Sequence, residues 1–191
     1  MENLNPDYWN NRYKNNDIGW DLGEISSPLK AYIDQLEVQS LKILIPGAGN
    51  GYEAEYLFKQ GFKNITVVDV SETALLNLKT RIPEFPEELL LKKNFFDLNQ
   101  KSYYDLILEQ TFFCALNPSL RLLYVKKMYE LLKPRGKLVG LMFNLPLYDT
   151  HPPFGGDELE YRKLFQHDFQ IDIMESCYNS IDARKNKELF V

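Results

Sequence analysis

The sequence has few of the residues on which disulfide and metal chemistry depend. It contains two cysteines, Cys114 and Cys177, and two histidines in 191 residues. The cysteines lie far apart and lack the spacing of metal ligands, so neither a disulfide framework nor a zinc site has support. We therefore expect no metal, and we expect both cysteines to be buried thiols in a reducing cytoplasm.

Excess positive charge and long hydrophobic runs are also lacking. Lys and Arg number 22 against 27 Asp and Glu, a net charge of -5 that argues against nucleic acid as a partner. The longest apolar run, residues 138–143, is far too short to span a bilayer. Since 45% hydrophobic content suffices for one sizeable core, we expect a single domain over residues 1–191, monomeric and cytoplasmic, without a membrane partner.

What the chain does have is an alternation of apolar strand-like runs with stretches of helical periodicity. This order is typical of an α/β fold with a mostly parallel sheet covered by helices on both faces. The predicted strands are residues 43–46, 65–70, 89–96, 105–109, 137–143, 169–175 and 188–191. The predicted helices are residues 53–60, 72–81 and 157–166, and one that starts at Asn117-Pro118 and ends at Lys133-Pro-Arg-Gly136.

A glycine turn follows the first predicted strand and opens the first predicted helix. Its glycines run Gly47-x-Gly49-x-Gly51, and the second predicted strand carries Asp69 at its end. A glycine turn lets a ligand approach the backbone closely, and a carboxylate at the end of the next strand can hold the hydroxyls of a ribose. The pattern therefore predicts a site for a nucleotide-type cofactor.

The first turn of that helix indicates which cofactor the site would bind. Dinucleotide sites hold a pyrophosphate on a helix N-terminus, but here Glu53 and Glu55 would repel a phosphate. S-adenosyl-L-methionine carries no phosphate and needs close backbone approach, a ribose carboxylate and an apolar slot for adenine. It is the favoured cofactor, and a nicotinamide-dependent oxidoreductase or a non-catalytic module that binds S-adenosylmethionine remain the alternatives.

The N-terminal segment is unusually aromatic for a polar stretch. Trp9, Tyr13 and Trp20 lie in it, and Trp9 and Tyr13 are spaced to share one helical face. An aromatic face attracts a cation such as a sulfonium by about 0.5 to 2 kcal/mol. The same spacing is typical of a helix that simply packs on the body of the protein, so a lid and plain packing are equally favoured.

Several motifs extend the argument along nearly the whole chain. They are Trp9-x-x-x-Tyr13, Gly19-Trp20-Asp21, Leu44-Ile-Pro-Gly-Ala-Gly-Asn-Gly51, Val68-Asp-Val-Ser71, Phe95-Phe-Asp97, Phe112-Phe-Cys-Ala-Leu-Asn-Pro118, Tyr129-Glu-Leu-Leu-Lys-Pro134 and Pro152-Pro-Phe154. In this combination and order the sequence resembles the thiopurine S-methyltransferase family, and most closely its plant-type halide/thiol methyltransferase branch.

The resemblance implies a fold, a methyl donor and site residues. The fold would be a Rossmann-like class I methyltransferase sandwich, a seven-stranded sheet whose last strand is antiparallel, with an N-terminal helical lid in residues 1–26 and a core in residues 27–191. The donor would be S-adenosylmethionine. By resemblance, its site would comprise Trp9, Tyr13 and Trp20 from the lid, Gly47 and Gly49 under the methionine part, Asp69 at the ribose, Asn94 and Phe95 at the adenine, and Gln110 near the methionine moiety.

The acceptor is expected to be a small nucleophile, a thiol or else hydrosulfide or halide. Thiopurine enzymes tend to carry an arginine where Gln110 stands, which argues against thiopurine itself. Methyl transfer needs alignment more than acid-base groups, in keeping with the lack of a convincing Ser/His/Asp set. The candidates for the acceptor side are Tyr148, His151, Phe154, Phe113 and Arg184.

The roles expected of these candidates differ, and Cys114 and Glu109 have expectations of their own. Arg184 would hold an anionic acceptor or help a thiol to ionise. For His151 an exposed position in a turn is favoured over a catalytic base, and Phe113 and Phe154 suit the core equally well. Cys114 lies in an apolar stretch and is expected to pack. Glu109 is expected either near the cofactor amine or at a solvated strand end.

Overall fold

The computed structural model describes residues 4–191, which form seven strands and six α-helices. The strands are β1 Ile43–Pro46, β2 Ile65–Asp69, β3 Leu90–Lys92, β4 Tyr104–Gln110, β5 Leu132–Phe143, β6 Glu175–Ser176 and β7 Glu188–Phe190. The helices are α1 Pro6–Lys14, α2 Ser27–Ile33, α3 Tyr52–Lys59, α4 Glu72–Arg81, α5 Arg121–Leu131 and α6 Glu158–Phe165.

The strands form one sheet in the order β3-β2-β1-β4-β5-β7-β6. Strands β1 to β5 are parallel, and β7 lies antiparallel to β5 and to β6. This confirms the expected seven-stranded, mostly parallel sheet with an antiparallel last strand. The order reverses beside β1, since β2 lies on one side of it and β4 on the other. Ligands of such sheets bind beyond the carboxyl ends of the strands at that reversal.

Helices bury both faces of the sheet. Along β1, Leu44 packs into a cluster with α5 and α6, while Ile43 and Ile45 pack into a second cluster with α2, α3 and α4. Successive side chains of a strand point to opposite faces, so a strand covered on both sides must be apolar throughout. This is why the four residues of β1 are all buried.

The predicted helix over residues 72–81 is confirmed, but three other predictions need correction. Strand β3 is shorter than the predicted 89–96, because the chain turns into a single 3-10 turn at Phe95–Asp97. Residues 133–136 do not end the helix but belong to β5, where a register shift accommodates them. Residues 169–175 do not form the predicted strand, and Phe169 and Ile171 pack on the core from a loop.

The N-terminal segment contains the expected helix and docks on the body. The Asn10 side chain in α1 accepts hydrogen bonds from Ser71 Oγ at 3.1 Å and from Thr73 N at 3.0 Å, at the start of α4. Both cysteines are buried with free thiols. In residues 4–191, no helix combines the length and apolar character that crossing a bilayer requires.

Candidate active site

A cavity of about 690 Å³ opens at the carboxyl edge of the sheet. Its walls come from the N-terminal segment, from the loops that follow each of the strands β1 to β5, and from the segment before β7. A cavity of this size suits a nucleotide-type cofactor together with a small second ligand. Of the nine residues expected at the donor site, all but Asn94 line it, and of the five acceptor-side candidates Tyr148, His151 and Arg184 do.

The glycine turn forms the floor of the cavity. Gly47 and Gly49 both have positive φ, +56° and +53°, a backbone conformation that other residues adopt only with strain. A Cβ at Gly47 would collide with the Phe112 ring, and one at Gly49 would lie 2.5 Å from Tyr13 Oη. Glycine therefore suits both positions, because any other residue would strain the backbone and collide with an aromatic side chain.

Asp69 ends β2 and joins the glycine turn to α4. One carboxylate oxygen accepts from Gly49 N at 2.9 Å and the other from Ser71 N at 2.7 Å. Burial raises the pKa of this carboxyl above its ordinary value. Each carboxylate oxygen can accept a further hydrogen bond, so the group is fixed in place and retains capacity for a ligand's hydroxyls.

The two carboxylates of the first turn of α3 have different surroundings. Glu53 is buried on the cavity wall, where burial raises its pKa and its Oε1 accepts from Ser26 N at 3.4 Å. Glu55 instead forms ion pairs with Lys59 at 2.7 Å and Arg81 at 2.8 Å. The group that faces the cavity is therefore Glu53, next to the helix N-terminus where a phosphate would have to bind.

The aromatic residues of the N-terminal segment meet over the glycine turn. Trp20 stands edge-to-face to Trp9 at 5.6 Å and to Tyr13 at 5.9 Å between ring centroids. Its Nε1 donates to Tyr13 Oη at 3.3 Å, and all three side chains line the cavity. The rings thus pack on one another, as plain packing predicts, and also border the cavity, as a lid would.

Of the three residues expected near adenine and methionine, two line the cavity and one does not. Phe95 is buried and lines the cavity, whereas Asn94 is exposed and its side chain accepts from Phe96 N at 3.0 Å. Gln110 lines the cavity, and its buried Oε1 has no hydrogen-bond partner in residues 4–191. Because buried acceptors are normally paired, this oxygen fits a ligand that brings a donor, such as an amino group.

The loop after β5 carries two of the acceptor-side candidates. The Tyr148 and His151 rings lie 4.1 Å apart between centroids, and both line the cavity. His151 is half-buried rather than exposed, and its Nδ1 contacts Pro152 O at 2.9 Å. The sequence therefore placed His151 in the right loop, but the folded loop turns it towards the cavity.

Arg184 lines the cavity from the segment before β7 and is buried. Its guanidinium donates to Trp20 O at 2.7 Å and to Glu188 Oε1 at 3.3 Å. The side chain therefore links the N-terminal segment to the C-terminal strand, in addition to its position on the wall.

Phe113 and Phe154 take the core position that was one of their two expected places, whereas Glu109 takes neither of its expected places. Phe113 and Phe154 are buried in the core and do not line the cavity. Glu109 does not line the cavity and is not solvated: it is fully buried behind the wall and accepts from two backbone amides and from Tyr124. Cys114 packs as expected, and burial raises the pKa of its thiol to about 12, but it also borders the cavity.

Some residues of the site were missed. Phe112, not Phe113, lines the cavity, and Lys187 lines it near Arg184. Asp21 also lines it and accepts from Asn50 Nδ2 and, at 3.1 Å, from Tyr52 Oη. The motif Gly19-Trp20-Asp21 was a signal for Asp21, whereas no pattern near residue 187 pointed to a lysine in the site.

Comparisons with known proteins identify the family. The family model described as "Thiopurine S-methyltransferase (TPMT)" matches residues 4–190. "Probable thiol methyltransferase 2" of Arabidopsis thaliana is 28% identical over 159 residues, 82% of this chain and 70% of that protein. "Thiocyanate methyltransferase 1" of Brassica oleracea is 28% identical over 184 residues, 94% and 81% of the two chains. "Thiopurine S-methyltransferase" of Vibrio cholerae is 27% identical and covers 84% and 80%.

A solved structure agrees in fold. The 1,6-didemethyltoxoflavin-N1-methyltransferase of Burkholderia thailandensis, solved with S-adenosylhomocysteine, superposes with a TM-score of 0.71 at 16% identity, over 97% of this chain and 84% of that one. The floor of Gly47 and Gly49 and the unpaired Gln110 oxygen fit the same type of cofactor. The chain therefore belongs to the thiopurine S-methyltransferase family and is an S-adenosylmethionine-dependent methyltransferase.

Proposed function

We propose that the enzyme methylates a small sulfur nucleophile, a thiol in the first place, with hydrosulfide or halide as close variants. The observation that carries this is the wall formed by residues 143–153 and 183–187. Its lining side chains are aromatic or aliphatic, with Arg184, Lys187 and His151 as the basic groups. No carboxylate of these two segments lines the cavity in the described part of the chain. Such a wall suits an acceptor that is polarisable and anionic.

The relatives support the same acceptor class. Those compared above are named for a thiol, thiocyanate and thiopurine, and each name denotes a sulfur compound. Gln110 stands where thiopurine enzymes tend to carry arginine, so we place thiols ahead of thiopurines among the acceptors.

For the donor, the proposed roles follow the contacts of the chain. S-adenosylmethionine supplies a methyl group on a sulfonium, which is a good leaving group. We propose that Asp69 binds the ribose hydroxyls and that Gln110 Oε1 accepts from the amino group. The residues proposed to complete the donor site are Trp9, Tyr13, Trp20, Gly47, Gly49 and Phe95. Asn94 is left out, because its side chain caps the 3-10 turn instead.

The chain's part in the transfer is alignment and exclusion of water. In-line displacement gains most of its rate from holding both reactants in one orientation, so no strong general base is required. Arg184 and Lys187 would attract an anionic acceptor, and nearby cations favour the thiolate over the thiol. Tyr148 and His151 would cover the acceptor, and the rings of the N-terminal segment would shield the donor.

A methyl-transfer assay with labelled donor tests the proposal. The acceptors are a small thiol, sulfide, iodide, thiocyanate and a thiopurine, with an amine and an alcohol of matched size as controls. We expect kcat/KM to be highest for the thiol and to rise with pH as the thiol ionises. Preference for the amine or the alcohol would contradict the proposal. Binding of the donor without turnover on the thiol, sulfide, iodide, thiocyanate or thiopurine would also contradict the proposed acceptor class.

The other expectations drawn from the sequence have different outcomes. Membership of a methyltransferase family removes the support for a nicotinamide-dependent oxidoreductase. The monomeric state stays a prediction, checked by sedimentation equilibrium. The cytoplasmic location also stays a prediction, checked by fractionation of the source cells.

A further inference from the structure

A buried carboxylate behind the cavity wall has no role in the function proposed above. Glu109, the penultimate residue of β4, has no exposed surface. Its Oε1 accepts from Phe112 N at 2.8 Å and from Phe113 N at 2.9 Å, and its Oε2 accepts from Tyr124 Oη at 2.6 Å. Three donors therefore converge on a group that does not touch the cavity.

The two amides belong to a turn that needs support. Thr111, between Glu109 and the amides, has a φ of +58°. A β-branched residue adopts this region only when its surroundings impose it. The Glu109 carboxylate binds the two amides that follow Thr111, so it closes the turn from below. Without it, both amides and the Tyr124 hydroxyl would lose a buried acceptor.

This turn carries the side chain that meets the cofactor floor. Gln110, Thr111 and Phe112 all line the cavity, and the Phe112 ring occupies the space above Gly47. The same ring stands edge-to-face to Phe95, with centroids 5.4 Å apart. The position of Phe112 thus depends on a turn that Glu109 holds, and it affects both the glycine floor and the wall at Phe95.

We propose that Glu109 is a positioning residue for the methyl donor: by binding the amides of Phe112 and Phe113 it holds the Phe112 ring against Gly47. Tyr124, from α5, fixes the other carboxylate oxygen and ties the turn to the core. The effect is on donor affinity and is exerted through Phe112. It does not depend on which acceptor the enzyme uses.

The hydrogen bonds, rather than the charge, do the positioning. Burial raises the pKa of Glu109 to about 7, so the neutral acid is populated at neutral pH. A glutamine has the same shape as the neutral acid. Its oxygen can accept from both amides, and its NH₂ can donate to the Tyr124 hydroxyl, which is also an acceptor. Glu109→Gln should therefore preserve the turn, whereas Glu109→Ala should release it.

The test is calorimetric titration with S-adenosylmethionine and with S-adenosylhomocysteine, in the absence of acceptor. We expect Glu109→Ala to weaken binding of both by about tenfold or more, and Glu109→Gln by about threefold or less. In a Phe112→Ala background, Glu109→Ala should cost much less than it does alone, because the side chain it positions is already gone. Circular dichroism and urea unfolding verify that each variant is folded.

A second pair of variants covers the case in which Glu109→Ala does not fold. Tyr124→Phe removes one of the three donors, and we expect it to weaken donor binding by about two- to fivefold. Tyr104→Phe is the control for loss of a hydroxyl from the core, because it removes a buried tyrosine hydroxyl that does not bind Glu109, at the opposite end of β4. It should leave donor affinity unchanged.

Three results would overturn the proposal: equal affinity in Glu109→Ala and the native protein, losses that multiply in the double variant, or Glu109→Gln as damaging as Glu109→Ala. If only the tyrosine variants fold, equal losses of donor affinity in Tyr124→Phe and Tyr104→Phe would overturn the proposal. Failure of the acceptor assay would leave these titrations interpretable, since they measure the donor only.

Discussion

Arg184 donates to the backbone carbonyl of Trp20 at 2.7 Å and so joins two segments that lie 164 residues apart in the chain. Its other partner is Glu188 in the last strand. Two segments with aromatic and basic side chains on the cavity wall are thus held by one buried guanidinium. A charge-assisted hydrogen bond of this kind contributes about 1.5 to 3 kcal/mol.

We predict that Arg184→Gln loosens the N-terminal segment. Hydrogen exchange of the amides in residues 8–21 should become faster in the variant without ligand, because the carbonyl of Trp20 loses a charged donor. As the N-terminal segment loosens, the affinity for the donor should fall by about tenfold. If Arg184 acted only on an anionic acceptor, the acceptor KM would rise while exchange in this segment stayed as in the native protein.

Asp69→Asn should lower the affinity for S-adenosylmethionine by about 1 to 3 kcal/mol, since it would remove the charge-assisted hydrogen bonds that we propose to the ribose and would weaken those from Gly49 N and Ser71 N. Calorimetry measures the loss. Asp105→Asn is the matched control: its carboxylate also accepts a backbone amide, Lys42 N at 2.9 Å, but lies at the start of β4, away from the cavity. Equal losses in both variants would contradict the ribose assignment.

The fold and the floor of the site could be predicted because their signals are local. Residues 43–47 contain an apolar strand and the glycine that must follow it, and Asp69 ends the next strand. Parallel strands bring such ends to one edge, whatever the rest of the chain does. The helix over residues 72–81 was equally local, with a serine cap before it and a proline after it.

The other features of the site could not be predicted, because they depend on local turns and on contacts between residues that are distant in sequence. Phe112 and Phe113 are adjacent and identical in type, but in the turn that follows the left-handed Thr111 it is Phe112 that lines the cavity and Phe113 that is buried in the core. Nothing in the sequence indicated that Glu109 turns inward to bind the amides of that turn. Strand alternation also fails at Asn94, because a 3-10 turn begins there instead of a longer strand.

Trp20→Leu should weaken S-adenosylmethionine more than S-adenosylhomocysteine. Both ligands would lose the packing surface, but only the first carries the sulfonium cation, whose attraction to an aromatic face is about 0.5 to 2 kcal/mol. Calorimetry gives the two dissociation constants. Their ratio reports the attraction between the sulfonium and the ring, because the loss from altered packing is common to both ligands and cancels. An unchanged ratio would mean that Trp20 only packs against Trp9 and Tyr13.

The stability of the protein should depend on pH through Glu109. Its carboxyl has an ordinary pKa of 4.5, and burial raises the pKa to about 7 in the folded protein. Between these values the folded state keeps a proton that the unfolded state has released. The free energy of unfolding therefore falls as pH rises through this window, by up to about 1.4 kcal/mol per pH unit.

Glu109→Gln removes this titration and provides the comparison. Urea unfolding of both proteins, at intervals from pH 4 to pH 8.5, should give a difference in the free energy of unfolding that shifts in favour of the glutamine variant above pH 4.5. The difference should level off beyond about pH 7, where the native carboxyl is ionised in both states. Burial also raises the pKa values of Asp69 and Glu53, but both residues remain in the two proteins, so their contributions cancel. A difference that stays constant from pH 4 to pH 8.5 would mean that Glu109 ionises in the folded protein as it does in the unfolded chain.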